Sequence, residues 1–319
     1  MSTINALNNL LFDLVDTVSK AAISCYPWIG KGNEDAADRA AVESLRNSLN
    51  ALQISGTVVI GEGERDKAPM LYIGEKLGKS GPEIDIAVDP LEGTTICANN
   101  KPNSLSVLAV SSKNTMLAAP DLYMEKIAIG ANLPKNLVDL DQPLHTNLEA
   151  LAKSKNKDIS DLMICVLKRD RHIELIQELR SHNTKVTLID DGDVLACLKT
   201  CIFGSDIDMY IGTGGAPEGV LAAAALKCLG GQIQTRLIAN TQTQIDHALS
   251  MGIQDLSRKY SQDDMIKGDV FFLASWITDG VLQGIKKLHS STAVNTLLLS
   301  STPKAMRFIK TEYHHDHRR

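Results

Sequence analysis

Two acidic segments carry the clearest chemistry in this chain, Gly61-Glu62-Gly63-Glu64 and Asp89-Pro90-Leu91-Glu92-Gly93-Thr94. Each follows an apolar run: Thr57-Val58-Val59-Ile60 leads into the first, Ile84-Asp85-Ile86-Ala87-Val88 into the second. Carboxylates and a hydroxyl at strand ends are the donors that hard divalent cations take. Asp89 is expected to end a buried strand, with Pro90 fixing a turn and Glu92 facing the same ion. Gly93 frees the backbone at the start of a helix, where N–H groups can hold a phosphate oxygen, and Thr94 adds a hydroxyl. Taken alone, the hexapeptide also reads as an Asp-Pro turn with a helix cap. Glu62 and Glu64 point the same way in extended chain, although alone they also read as a solvated turn. Two acid-bearing strand exits together favour metal-assisted chemistry on phosphate.

A third segment, Gly212-Thr213-Gly214-Gly215-Ala216-Pro217-Glu218-Gly219, opens an Ala-rich helix. Pro217 suits its first turn and Glu218 its positive end, so a helix-start signal accounts for Glu218 as well as a functional carboxylate does. No Gly-Lys-Ser/Thr follows, which argues against a nucleotide P-loop. Asp190-Asp191-Gly192-Asp193 is either a turn with a cap or a set of polar contacts for a sugar. Lys168-Arg169-Asp170-Arg171-His172 is either a solvated loop or the cation cluster that a phosphorylated substrate needs. Asp38 lies in the first turn of a helix, where helix electrostatics alone favour an acid.

The elements that position these residues follow from periodicity. Ile4, Leu7, Leu11, Leu14, Val15, Val18 and Ala22 predict an amphipathic helix over about 3–25, and Ala37, Ala41, Leu45, Leu49 and Leu52 a second. Strands are expected at 57–60, 84–89, 104–111 and 126–129, with a short helix opening at Pro69-Met70-Leu71-Tyr72-Ile73. From about 160 strands and helices alternate: strands at 162–167, 185–189 and 207–211, helices at 172–180, 194–201 and 217–229, then strands at 270–274 and 294–299. Residues 239–268 are polar and weakly patterned, and are expected to be a mobile excursion. The fold class is α/β, with residues 1–150 as an α+β metal-binding domain and 151–319 as an α/β substrate-binding domain.

Composition narrows the class. The chain has 319 residues, a net charge of −5, 44% hydrophobic and 22% charged residues, ordinary values for a globular protein. The negative balance gives no support for nucleic-acid binding, so an anionic substrate needs local cations. The longest bland stretch, Val220 to Leu229, is too short for a membrane span. The first residues show no signal-peptide pattern, and a cytoplasmic location is expected. The six cysteines form no C-x-x-C pair and read as reduced buried thiols. The tail His314-His315-Asp316-His317-Arg318-Arg319 reads as a frayed polar terminus rather than a metal site.

Taken together, these segments resemble the lithium-sensitive, metal-dependent phosphomonoesterase superfamily. Five motifs narrow the resemblance to the class II (GlpX-type) bacterial fructose-1,6-bisphosphatases: Val59-Ile60-Gly61-Glu62-Gly63-Glu64, Ala68-Pro69-Met70-Leu71-Tyr72-Ile73-Gly74-Glu75, Asp85 to Thr94, Ala119-Pro120-Asp121-Leu122-Tyr123-Met124-Glu125-Lys126 and Gly214 to Gly219. The resemblance implies a layered α/β/α/β/α sandwich, a Mg²⁺ or Mn²⁺ cofactor, a homo-oligomer, and hydrolysis of the 1-phosphate of fructose 1,6-bisphosphate. It implies metal ligands at Asp38, Glu62, Asp89, Glu92 and Glu218, with the Leu91 carbonyl as a further candidate. Sugar and phosphate contacts are implied at Glu92, Gly93, Thr94, Tyr123, Arg169, Arg171, Asp191, Gly192, Asp193 and Gly215. Thr94 would orient the attacking water, with Glu62 or Glu64 accepting its proton. Thr95 stands where the family usually has Arg, Arg169-Asp170-Arg171 stands for Lys-Pro-Arg, and the segment after Ile238 is short. Sedoheptulose 1,7-bisphosphate or an inositol phosphate are alternative substrates, and a sugar-phosphate sensor without turnover is the alternative of a different class.

Overall fold

Helix α1 (Leu11–Ser24) buries Leu14, Val15, Val18, Ala21 and Ala22, the stripe its periodicity predicts. The structure, a computed structural model, describes residues 7–63, 70–202 and 204–315. Asn33 caps helix α2 (Glu34–Ala51) by accepting the Ala36 N–H at 3.0 Å. Strands β1 (Ser55–Ile60), β2 (Lys76–Leu77) and β3 (Glu83–Glu92) follow, then the short helix α3 (Thr94–Ala98) and β4 (Leu105–Ser112). Residues 70–73 are not helical: Glu75 is buried, accepts the Leu71 N–H and pairs with Arg46, which holds 71–75 as turns.

The following stretch contains β5 (Tyr123–Ile129), α4 (Leu144–Lys155), β6 (Met163–Leu167), α5 (Ile173–Ser181), β7 (Lys185–Ile189), α6 (Asp193–Lys199), β8 (Met209–Gly215), α7 (Ala216–Leu229), β9 (Gln232–Ile238), α8 (Gln242–Ser250), β10 (Tyr260–Ser261) and α9 (Gln262–Met265). The chain ends in β11 (Val270–Trp276), β12 (Lys286–Lys287), β13 (Ser291–Ser301) and β14 (Lys304–His314). The expected excursion at 239–268 is therefore largely ordered. Capping boxes at Thr241/Gln244 and Ser261/Asp264 start its two helices, which a hydrophobicity reading passes over. The tail is not frayed where it is described: His314 pairs with Ser291 in β14, and the His315 ring meets the Thr292 hydroxyl.

The chain divides into two units, one comprising residues up to 116 together with those from 268 on, the other Leu117–Lys267. The boundary near 150 expected from sequence is thus displaced, because β11 returns to pair antiparallel with β4 along its whole length. The first unit has an eight-stranded sheet in the order β12-β13-β11-β4-β3-β1-β2, with β14 on the other side of β13. Its core joins α1 and α2 (Leu14, Val18, Leu45, Leu49) to Val58, Ile86, Leu108, Phe271 and Leu298. The second unit has a six-stranded sheet in the order β10-β9-β5-β8-β6-β7. Both sheets are mixed, with β1 parallel to β3 in one and β6 parallel to β7 and β8 in the other, which bears out the mixed α/β class.

Candidate active site

In the first unit, the candidate residues lie at the C-terminal ends of the parallel pair β1 and β3, where α/β sheets hold ligands. Glu62 follows β1 in a bend that both flanking glycines make possible. A Cβ on Gly61 would lie 1.9 Å from the Leu71 carbonyl oxygen, and Gly63 has φ 118°. The Glu62 N–H donates to that same Leu71 carbonyl at 3.0 Å. The backbone here is fixed, as the sequence suggests. Glu64 lies outside the described residues.

Asp89 does not end its strand. β3 continues through Glu92, with a bulge: Asp89 pairs with Val107, and Glu92 with Leu105. Pro90 has no N–H for the ladder, and the bulge absorbs this; the Leu91 N–H turns back to Asp89 Oδ1 at 3.2 Å. Bulges of this kind re-aim side chains beside active sites. Glu92 is 3% exposed, and its carbonyl, like that of Gly93, accepts the Ser104 hydroxyl. Gly93 is left-handed (φ 79°, ψ 60°), which turns the strand directly into α3 with Thr94 as its first residue.

Asp38 is half-buried one turn into α2. Burial first, and then the charge of Asp35, raise its carboxyl above the ordinary range. A carboxylate whose charge is that costly is one a cation would relieve. Asp85, inside the motif, is structural: it is buried and accepts the Thr115 and Met116 N–H groups at 2.9 and 3.0 Å. Among the described residues, no three His, Cys, Asp or Glu side chains gather as a metal-ligating group. The carboxylates supply hard oxygen donors, the right chemistry for Mg²⁺ or Mn²⁺, without forming a closed shell by themselves.

In the second unit, all the candidates fall at one end of the sheet. Arg169 and Arg171 follow β6, Asp191, Gly192 and Asp193 follow β7, Glu218 follows β8, and Tyr123 pairs with Gly215 where β5 runs antiparallel to β8. The structure gathers Tyr123 and Arg171: the guanidinium lies 4.7 Å from the ring centroid and donates through Nε and Nη2 to the Thr213 carbonyl at 3.0 and 2.8 Å. Arg169 binds the carbonyls of Lys168 and Asp190. Asp191 accepts the Gly192 N–H at 3.0 Å, and Gly192 is the left-handed cap of α6.

The Gly212–Gly215 run is strand rather than loop, paired throughout with β5. Its glycines make room for side chains that press on the backbone. Cβ atoms built there would meet the His172 ring at Gly212 (3.1 Å), Asp193 Oδ2 at Gly214 (2.2 Å) and Glu218 Oε2 at Gly215 (2.0 Å). His172 Nδ1 stands 2.7 Å from the Leu167 carbonyl, which can only accept, and Nε2 stands 2.8 Å from the Thr213 N–H, which can only donate. The ring is therefore the neutral Nδ1–H tautomer, clasping the end of β6 to β8. Burial, followed by the Arg171 and Arg169 charges, pushes its pKa down, and the bond to Leu167 opposes this.

Asp193, expected as a sugar contact, spends its carboxylate internally. Lys126 Nζ donates to its Oδ2 at 2.6 Å and the Tyr210 hydroxyl donates to the same oxygen at 3.3 Å, and all three residues are buried. Sequence reasoning assigned no role to Lys126 or Tyr210, and it counted His172 within a cation cluster, whereas the ring is neutral and joins two strand ends. The available signal was parity: Lys126 shares the buried face of β5 with Met124 and Ala128. All six cysteines are free thiols, five of them buried.

The family model for bacterial fructose-1,6-bisphosphatase, glpX-encoded, matches residues 8–313. A D-fructose 1,6-bisphosphatase class 2/sedoheptulose 1,7-bisphosphatase of Nostoc sp. is 39% identical over 95% of this chain and 96% of that protein. Its namesake from Synechocystis sp. is 40% identical over the same shares. Among solved structures, the extragenic suppressor protein suhB of Bartonella henselae aligns with a TM-score of 0.35 at 12% identity, over 60% of this chain and 73% of that one. With the acid-bearing strand exits and the glycine-rich start of α7 falling inside a match of this extent, the chain belongs to the glpX-encoded family of bacterial fructose-1,6-bisphosphatases.

Proposed function

We propose that the chain is a divalent-cation-dependent phosphomonoesterase that removes the 1-phosphate of fructose 1,6-bisphosphate, giving fructose 6-phosphate and phosphate. The observation that carries this reading is the end of β3, where a proline, a bulge and a left-handed glycine set Asp89, Glu92 and Thr94 at one strand exit. We assign cation binding to Asp38, Glu62, Asp89 and Glu92 on the first unit and to Glu218 on the second. Mg²⁺ and Mn²⁺ both suit such donors. A bound divalent cation would polarise phosphoryl oxygens and make water more acidic.

The chain's own groups supply the rest. The Thr94 hydroxyl orients the attacking water, and Glu62 or Glu64 takes its proton. Arg169, Arg171 and Tyr123 hold the sugar and its second phosphate, with Gly93, Asp191, Gly192, Asp193 and Gly215 contributing backbone contacts. Thr94→Ala should lower kcat far more than it raises KM, while loss of Arg171 should mainly raise KM. The names of the relatives favour sedoheptulose 1,7-bisphosphate as a second substrate. We further expect a cytoplasmic setting, supported by the free thiols, and a homo-oligomer, which light scattering would test. No helix among the described residues is long and apolar enough to cross a membrane.

The test is phosphate release from both bisphosphates with Mn²⁺, with Mg²⁺ and with EDTA. Turnover that requires either ion and stops with EDTA supports the proposal. Release that persists in EDTA removes the cation from it, and no release makes the sensor reading the better one.

A further inference from the structure

Lys126 is a charged side chain, 1% exposed, inside the second unit. An ammonium in that position demands compensation, and two carboxylates offer it from different elements. Asp193, the first residue of α6, lies at 2.6 Å from Nζ. Glu218, in the first turn of α7, is the other. Adjacent glycines of β8 leave room for these groups: a Cβ on Gly214 would lie 3.1 Å from Lys126 Nζ and 2.2 Å from Asp193 Oδ2, and one on Gly215 would lie 2.0 Å from Glu218 Oε2. The lysine stem is also gripped from α7, since a Cβ on Gly219 would lie 3.4 Å from Lys126 Cε and 2.6 Å from Met124 Sδ. Burial works against the ammonium, but Asp193 and then Glu218 outweigh it and keep it charged. Tyr210 adds a hydroxyl to the same Asp193 oxygen at 3.3 Å.

A lysine that served only the core would have no reason to lie against the two turns that carry the candidate ligands. The same unit contains such a structural case for contrast. Asp208 pairs with Lys155 and Lys157 at 2.5 and 2.8 Å and accepts the Met163 N–H, at the opposite end of β6 from Arg169 and Arg171. Both assemblies join lysine to a buried aspartate; only the one centred on Lys126 packs against the helix turn that carries a candidate cation ligand, its stem lying beside Gly219, the neighbour of Glu218.

We infer that Lys126 is a positioning residue, a buried cation that holds the Glu218 carboxylate and the start of α6 in place for cation and sugar-phosphate binding. It touches neither ligand itself. The inference rests on the reading of Glu218 as a cation ligand.

The test compares Lys126→Met with Asp208→Asn in the full chain, reading Mn²⁺ affinity by titration calorimetry, melting temperature, and KM against kcat. Outer groups that orient a metal ligand typically carry about 10–100-fold in metal affinity, and that is the loss expected for Lys126→Met. Asp208→Asn should lower the melting temperature while leaving Mn²⁺ affinity within about 2-fold, a change below half a kcal/mol at RT of about 0.59 kcal/mol. Should Lys126→Met not fold, the double variant Lys126→Met/Asp193→Asn leaves no orphaned charge at that pair, and the same loss of Mn²⁺ affinity is expected. Wild-type Mn²⁺ affinity in either Lys126 variant overturns the inference, as does an equal loss in Asp208→Asn. A wild-type protein that takes up no Mn²⁺ overturns the reading of Glu218 and this inference with it.

Discussion

Both influences acting on Asp38, in the first unit, work against its charge: burial and then Asp35. Asp208, in the second, is also penalised by burial, but Lys155, Lys157 and the Met163 N–H bring its pKa below the ordinary range. Asp193 likewise sits on Lys126. The second unit brings its own cations to these buried acids; the first does the same for Glu75 through Arg46, but leaves Asp38 to be neutralised from outside. An acid kept without an internal counter-charge costs stability, and a site for a dissociable cation has to bear that cost. The contrast separates acids that build the scaffold from acids available to a ligand.

The largest effect should come from breaking an internal pair. Removing one partner of a fully buried ion pair costs about 3–5 kcal/mol, so Lys126→Met should lower the urea midpoint steeply; Asp208→Asn, whose lysines are partly exposed, should lower it less. A variant of either kind that unfolds with the wild-type midpoint would remove the second unit's side of the comparison.

His172 comes next, because its two bonds join the ends of β6 and β8. His172→Phe strands the Thr213 N–H and leaves the Leu167 carbonyl with the Arg169 N–H alone, at about 1–3 kcal/mol. The pH dependence has a definite sign. The folded pKa lies below the ordinary 6.5, so the contribution is complete above that value and is lost as pH falls through the lowered one. Protonation would set Nε2–H against the Thr213 N–H. Melting temperatures between about pH 7 and pH 5 should therefore fall more in wild type than in His172→Phe. Parallel profiles would show that the ring does not titrate with unfolding.

Asp38→Asn tests the first unit directly. The folded carboxyl holds its proton above the ordinary 3.8, so its charge subtracts from stability as pH rises through that raised value. In EDTA near neutral pH the variant should melt about 2–4 °C higher, on the order of 1 kcal/mol. With Mn²⁺ present it should gain less than wild type. No rise in EDTA would mean that Asp38 has a compensating partner, and the contrast between the units would weaken.

Much of this was legible in the chain. The helical stripes of α1 and α2 and the alternation from residue 163 to 229 are periodic, and they hold. The exit at Glu62 and the irregular backbone after Asp89 were legible because glycine and proline mark backbone that cannot be ordinary coil, although the strand runs on to Glu92. What escaped was set by partners distant in sequence. β14 is mostly exposed and carries little pattern; it is strand because it pairs with β13 along its whole length. Gly212–Gly215 resembles a loop, yet it is strand because β5 pairs with it and bulky groups need the space. Asp193 looked like a free acid until Lys126, 67 residues earlier, was seen to neutralise it.

The smallest effect concerns a cation of the second unit that is held ready rather than consumed. Arg171 lies on the Tyr123 ring with two of its donors on the Thr213 carbonyl, so its guanidinium is held in one orientation. The ring is half exposed, and a cation–π contact of that kind contributes about 0.5–1 kcal/mol. Tyr123→Leu should therefore raise KM about 2- to 5-fold with kcat unchanged, the ratio such an energy sets. Tyr123→Phe keeps the ring and should keep the KM. If Tyr123→Phe raises KM as far as Tyr123→Leu, the hydroxyl meets the substrate itself, and the ring is not what prepares Arg171. If neither moves KM, Arg171 is held by Thr213 alone, and the second unit's preparation of its cations stops at the backbone.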